Sequence, residues 1–239
     1  MKCSENTTES IKNKIIKTKG LSVAIDNEVL EGYTKDKGFK MKHLSSLFTL
    51  LIWNKLNALN GYLDFETVSG LLGLKMENTH DRMFKYQVRK ALKELYPTIE
   101  YKEDIEKGIK FTHIPKENYT EKRQTKGFTQ LYCGLATLEN RDLIVLHTVL
   151  EYFKGASKEV NPSLDTLASL SGCSRRNIVT LLKEGQKLGL WKIESTKGGS
   201  TRHTNKYHLS YTTEEGKERY YYLDVIEQQQ EYLDGEKVI

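Results

Sequence analysis

The segment at residues 161–210 limits the choice of folds more than any other part of the chain, because helix, turn and strand signals follow one another closely there. It contains SLDTLASLSG, an apolar-periodic stretch with Ser163 in the N-cap position. The turn SGCSRR leads to SRRNIVTLLKEGQKLG, which has Ser174 as N-cap and Gly189 at its end. WKIES and RHTNKYHLS then flank the glycine turn TKGGST. This order predicts a winged helix-turn-helix, in which a hairpin follows the second helix of the motif.

The longer helix of this motif separates apolar from basic side chains. With about 100° per residue, one face collects apolar residues that are expected to form its core side. They are Ile178, Leu181, Leu182 and Leu188. Arginine on the other face can pair with guanine and asparagine with adenine, each pair worth about 1–3 kcal/mol of discrimination. A merely solvated basic face is the alternative, but the turn and the wing favour duplex DNA. The predicted contacts are Arg175, Arg176, Asn177, Thr180 and Lys183 on the helix, and Lys197, Arg202, His203 and Lys206 on the wing.

The same order of signals occurs earlier in the chain. LSSLFTLLIWNKLNAL, from Leu44 to Leu59, is an apolar helix, and DFETVSGLL begins a short one at Asp64. RMFKYQVRKALKELY, from Arg82 to Tyr96, is the third, and TIEYKEDIEKGIKFTHI alternates like a hairpin. The lead-ins KGFKM and KGFTQLY also agree. An internal duplication therefore predicts a mainly α protein with small β-hairpin wings (α+β), built from two tandem winged helix-turn-helix domains.

The third helix of the earlier copy has a basic face of the same kind, and its predicted DNA contacts are Arg82, Tyr86, Arg89 and Lys93. Its hairpin tip, KEDIEKG, carries Glu103, Asp104 and Glu106, which repel phosphate. The connection LKMENTHD before the third helix is also longer than a tight turn. This copy is therefore expected either to read DNA through its helix or to bind a protein partner.

Composition shifts divide the chain. The segment IPKENYTEKRQTK is polar and lacks apolar periodicity, as expected of a linker. Net charge is +5, but residues 214–239 hold three basic and eight acidic side chains, so the positive charge lies elsewhere. The tail is expected to pack on the body, with dimerisation or masking of the basic surface left open. The predicted parts are a partly disordered extension at 1–36, winged-helix domains at 37–113 (first unit) and 127–211 (second unit), a linker at 114–126, and an acidic tail at 212–239.

Two strings carry a family resemblance: GFTQLYCGLATLENRDLIVLHTVLEYFKG and NPSLDTLASLSGCSRRNIVTLLKEGQKLGLW. Together they resemble the winged helix-turn-helix domains of Gram-positive plasmid and phage replication proteins over residues 126–210. The tandem arrangement is similar to that of plasmid initiators built from two winged helices. The resemblance implies recognition roles for Arg175, Arg176, Asn177 and Thr180.

The resemblance also implies a sequence-specific double-stranded DNA-binding protein of a mobile element that initiates replication at an origin and recruits host replication proteins. Regulation of a plasmid or phage operon, an accessory role in conjugative transfer, and a protein–protein adaptor without DNA affinity remain alternatives.

Enzyme signatures are not found in the sequence, which has no GxxxxGK[ST], HExxH, GxSxG or paired CxxC. The tyrosines at 220–222 lack the His-x-His pair or Arg/His set of a relaxase or recombinase. Cys3, Cys133 and Cys173 are far apart, so neither a metal knuckle nor a disulfide framework is expected. No apolar run of about 18 residues is present. We therefore expect a cytoplasmic, non-enzymatic protein without cofactor, metal or membrane partner.

Overall fold

The computed structural model is mainly helical, with short two-stranded antiparallel sheets. It describes residues 21–27, 30, 41–57, 62–72, 74, 81–95, 100–104, 106–113, 127–156, 160–197 and 203–236. The helices in these ranges are α1 (Met41–Asn57), α2 (Phe65–Leu71), α3 (Asp81–Leu95), α4 (Asp142–Ala156), α5 (Leu164–Ser171), α6 (Arg175–Leu188) and α7 (Tyr221–Glu236). The strands are β1 (Ser22–Asp26), β2 (Glu100–Asp104), β3 (Gly108–His113), β4 (Phe128–Tyr132), β5 (Lys192–Lys197), β6 (His203–His208), β7 (Ser210–Thr212) and β8 (Glu218–Tyr220).

The predicted order of three helices and a hairpin is observed in both units. In the first unit, Asp64 caps α2 by accepting a 2.7 Å hydrogen bond from the Thr67 amide. Leu63 and Ile109 exchange backbone hydrogen bonds of 2.8 and 2.7 Å, and both side chains are buried. The β2–β3 hairpin is therefore anchored at the start of α2 rather than projecting freely.

Local capping signals decide the limits of the helices in the second unit. The Ser163 side chain accepts from the Thr166 amide at 3.0 Å, and the Ser174 side chain from the Asn177 amide at 3.3 Å. Gly189 ends α6 in the left-handed region with φ 82°, which glycine adopts without strain. The caps predicted at Ser163, Ser174 and Gly189 are confirmed.

Contacts between the units were not predicted. β1 pairs with β4 along its whole length, although the sequence assigned β1 to the extension at 1–36. The Met41 amide donates to the Gly172 carbonyl at 3.1 Å, so α1 begins beside the turn between α5 and α6. α1 also packs against α4. The two units are thus in contact, while the domain boundaries stay a prediction and the linker at 114–126 lies outside the described residues.

The acidic tail packs on the body, as expected. β7 and β8 form a hairpin that was not predicted, and α7 follows it directly. Tyr222 and Ile226 are buried, and the Tyr132 ring lies 4.9 Å from those of Tyr220 and Tyr222. Within the described ranges, no helix has the length and apolar character needed to cross a membrane.

Candidate nucleic-acid interface

The inner face of α6 positions the helix on the core. Ile178, Leu181 and Leu182 are buried as predicted, but Leu188 is 43 % exposed, so its assignment to the core side was wrong. Leu188 is the last helical residue, and the chain turns away at Gly189. The core position one turn earlier belongs to the buried Gly185.

Trp191 covers α6 at Gly185. Its ring is fully buried, and Nε1–H donates to the Leu182 carbonyl at 3.1 Å. A Cβ atom at residue 185 would overlap three atoms of this ring, so glycine is required for the close approach. Because Trp191 directly precedes β5, this contact attaches the start of the β5–β6 hairpin to α6.

The outer face of α6 is cationic. Arg176, Lys183 and Lys187 are exposed, and none of them makes an ion pair within the described part of the chain. The single acidic residue of α6, Glu184, is instead held at the side of the helix, where both its oxygens accept from Asn140 Nδ2 at 3.0 Å. Positive charge on this face is therefore available to a phosphate backbone.

The N-terminal end of α6 presents three further predicted contacts. Arg175 forms a 3.3 Å ion pair with Asp165 of α5, in which the side chains are 64 % and 74 % exposed. Asn177 Nδ2 donates to Cys173 Sγ at 3.0 Å, and Thr180 Oγ1 donates to the Arg176 carbonyl at 3.3 Å. All three predicted residues are solvent-exposed. Since thiol sulfur is a weak acceptor and the exposed ion pair is weak, a base or phosphate can replace these partners.

The β5–β6 hairpin has the place of the predicted wing. Its register pairs Glu194 with Lys206 and Lys197 with His203. Lys206 is half-buried, and Glu194 accepts from His208 Nε2 at 3.2 Å when that nitrogen is protonated. The side chains of Lys197 and His203, and all of Arg202, fall outside the described residues. Contacts from these three residues stay predictions.

In the first unit, one predicted contact residue is already bonded to a side chain of the protein. Arg82 and Lys93 are exposed, and Tyr86 is 55 % exposed, as a contact face on α3 requires. Arg89, by contrast, binds both carboxylate oxygens of Glu103 on β2. The hydrogen bond from Arg89 lowers the pKa of Glu103, and the same bond raises the pKa of Arg89. The outer faces of α3 and α6 thus carry the same number of cations, but one cation of α3 is bonded to a carboxylate.

Two further lysines lie in or beside α6. Lys187 continues the exposed face of α6 by one turn, and helical spacing already assigns it to that face from the sequence. Lys192 is exposed at the base of β5, and its ammonium lies 5.1 Å from the Tyr221 ring. Its position beside α7 depends on the packed tail, so sequence spacing held no signal for that contact.

Among the described residues, no three His, Cys, Asp or Glu side chains lie together as a metal site needs.

Comparison with known families agrees with this geometry. The model of a family described as a helix-turn-helix domain matches residues 136–190, a range that contains the whole of α4, α5 and α6. Neither a curated protein nor a solved structure matches the chain. Residues 136–190 therefore form a helix-turn-helix domain, and a domain of this kind indicates that the partner is DNA.

Proposed function

We propose that this protein binds a specific site in double-stranded DNA through two tandem winged helix-turn-helix domains and has no enzymatic activity. The observation that carries the proposal is the outer face of α6 on a helix-turn-helix domain, where three exposed cations have no ion-pair partner among the described residues. A solvated helix face of this charge is common, but its place after the motif's turn is that of a recognition helix.

In the proposed complex, α6 enters the major groove with its N-terminal end at the bases. Arg176 and Asn177 are the base readers, since their side chains suit guanine and adenine. Lys183 contacts phosphate, and the wing contacts the backbone with Lys197, Arg202, His203 and Lys206. α3 meets an adjacent half-site with Arg82, Tyr86, Arg89 and Lys93, at about one DNA turn or roughly 34 Å.

The biological task that we propose is initiation of plasmid or phage replication at an origin, with recruitment of host replication proteins. Its support is the resemblance of residues 126–210 to replication proteins and the repeated order of elements in one chain. Since the two units differ, the DNA site need not be palindromic. A regulator of a mobile-element operon would use the same contacts, and the arrangement of the bound sites distinguishes the two tasks.

The test is selection of bound fragments from random and element-derived duplexes, followed by titration of the selected site at several salt concentrations. Arg176→Ala is expected to weaken specific binding about 10- to 100-fold, with a smaller effect on random DNA. Lys55→Ala is the control, because Lys55 is an exposed lysine in the last turn of α1, outside the proposed interface. The Lys55→Ala variant is expected to bind the selected duplex with an affinity close to that of the wild type.

Selected sites within iterated repeats would support origin recognition, whereas one site over a promoter would favour the regulator. Equal losses on specific and random DNA would remove Arg176 from the base readers. No enrichment, with only weak binding that salt abolishes, would overturn the DNA-reading proposal and favour the adaptor.

A further inference from the structure

The outer faces of α3 and α6 repeat the same spacing. In each helix the four positions are separated by four, three and four residues. The two series are Arg82, Tyr86, Arg89, Lys93 and Arg176, Thr180, Lys183, Lys187. Arg89 therefore occupies the position in the first unit that Lys183 occupies in the second.

The two cations have different surroundings. Lys183 is exposed and has no ion-pair partner in the described part of the chain. Arg89 Nε donates to Glu103 Oε2 at 2.7 Å and Arg89 Nη2 to Oε1, so both oxygens of one carboxylate are bound. The Arg89 guanidinium also lies 5.7 Å from the centre of the Phe65 ring.

The hairpin fixes Glu103 at this position. Glu103 is paired in register with Ile109, whose backbone exchanges two hydrogen bonds with Leu63. β2 and β3 are thereby attached to the segment that begins α2, and α2 packs on α3. The carboxylate is thus held in front of Arg89 by backbone pairing rather than by a flexible loop.

A guanidinium binds a carboxylate and a phosphate with the same forked geometry. We infer that Glu103 occupies a phosphate-binding site at Arg89, so that the first unit carries a DNA backbone contact that is masked in the free protein. The inference rests on the proposed function. The pair is not sealed from water, since the two side chains are 40 % and 24 % exposed, and DNA phosphate can therefore compete with Glu103.

The neighbouring charges do not provide the same masking. Lys85, one turn before Arg89, forms an ion pair with Asp81 at 3.2 Å. Asp104 accepts from the amides of Glu106 and Lys107 at 3.0 and 2.9 Å, so it is used in the turn of the hairpin. Glu106 is exposed on the same turn, and within the described part of the chain no hydrogen bond or ion pair joins it to Arg89. Glu106 therefore offers a matched control for removal of one negative charge.

The experiment measures binding of the full chain to the selected duplex and to random duplex as a function of salt. Glu103→Gln is expected to tighten binding and to steepen the plot of log K against log salt by about 0.9, the value for one more phosphate contact. When salt is raised from about 50 to 200 mM, the affinity of Glu103→Gln should therefore fall roughly 3.5-fold more than that of the wild type. Glu106→Gln is expected to leave the slope unchanged, and Arg89→Gln combined with Glu103→Gln is expected to restore the wild-type slope.

A steeper slope for Glu103→Gln alone, reversed in the double variant, supports the inference. An unchanged slope, or equal changes for Glu103→Gln and Glu106→Gln, overturns it. If the wild type binds DNA and Arg176→Ala weakens that binding, but Glu103→Gln leaves it unchanged, only the masked contact is contradicted. Absence of DNA binding by the wild type and by every variant contradicts the proposed function as well. Circular dichroism of each variant verifies that it is folded.

Discussion

Replacing Gly185 by alanine should destabilise the protein, although alanine is the better helix former. At an exposed helical position the change from glycine to alanine stabilises by about 1 kcal/mol. Gly185 is buried, and its added Cβ would overlap three atoms of the Trp191 ring. The ring has little room to move, because Nε1 is hydrogen-bonded to Leu182 and the His147 ring lies 6.3 Å away.

The expected size follows from these two opposing effects. Overpacking of a core costs about 1–3 kcal/mol, and a rigid, fully buried indole places this site near the upper value. After subtraction of the about 1 kcal/mol that alanine gains over glycine in a helix, the free energy of unfolding should fall by about 1–2 kcal/mol. For a chain of this size, that loss corresponds to a fall in Tm of about 2–8 °C.

Gly70→Ala is the matched control. Gly70 lies in α2, is exposed, and would place its Cβ where no atom of the described residues lies within 4 Å. Thermal unfolding followed by far-UV circular dichroism should therefore show a lower Tm for Gly185→Ala and an equal or higher Tm for Gly70→Ala. A Tm for Gly185→Ala at or above that of the wild type would refute the packing of Trp191 on this helix.

Two further predictions concern the tail and the core beneath it. Ile226→Ala in α7 should lower the free energy of unfolding by about 2–5 kcal/mol, because Ile226 is buried against Gly134. Gln229 of the same helix is exposed, so Gln229→Ala should change it by less than about 0.5 kcal/mol. Urea unfolding of the two variants measures the difference. Burial, with a smaller effect of Lys154, lowers the pKa of His147 to about 3. The unfolded chain protonates this histidine near pH 6.5, so the free energy of unfolding should fall as pH drops from about 6.5 to 3, by at most about 1.4 kcal/mol per pH unit. His147→Leu should remove this contribution from urea unfolding measured across that range, and an unchanged pH dependence would contradict it.

Local features of the fold could be predicted from the sequence, because their causes lie within one helical turn. Ser163 and Ser174 bond to amides three residues away, so both helix starts were visible in the sequence. Leu188 was misassigned since helical periodicity alone ignores where the helix ends. The β7–β8 hairpin was missed because its three-residue strands are too short for a clear alternation.

Long-range features could not be predicted in this way. The bond between Arg89 and Glu103 depends on which face of β2 meets α3, and spacing within α3 does not contain that information. The acidic residues of the first hairpin are visible in the sequence and predict repulsion of phosphate, but that pattern does not show that one of them binds an arginine. Likewise, the partner of β1 lies beyond the whole first unit.

The pairing of β1 with β4 has a consequence for synthesis of the chain. Ser22 pairs with Tyr132, about 110 residues later, so β1 leaves the ribosome long before its partner exists. At about 5–20 residues per second, that interval lasts roughly 5–20 s. α1, α2, α3 and the β2–β3 hairpin are all translated within it. The first unit lies in the chain between these two strands, so it has time to begin folding before they pair. The strands can pair only when synthesis of the second unit is under way.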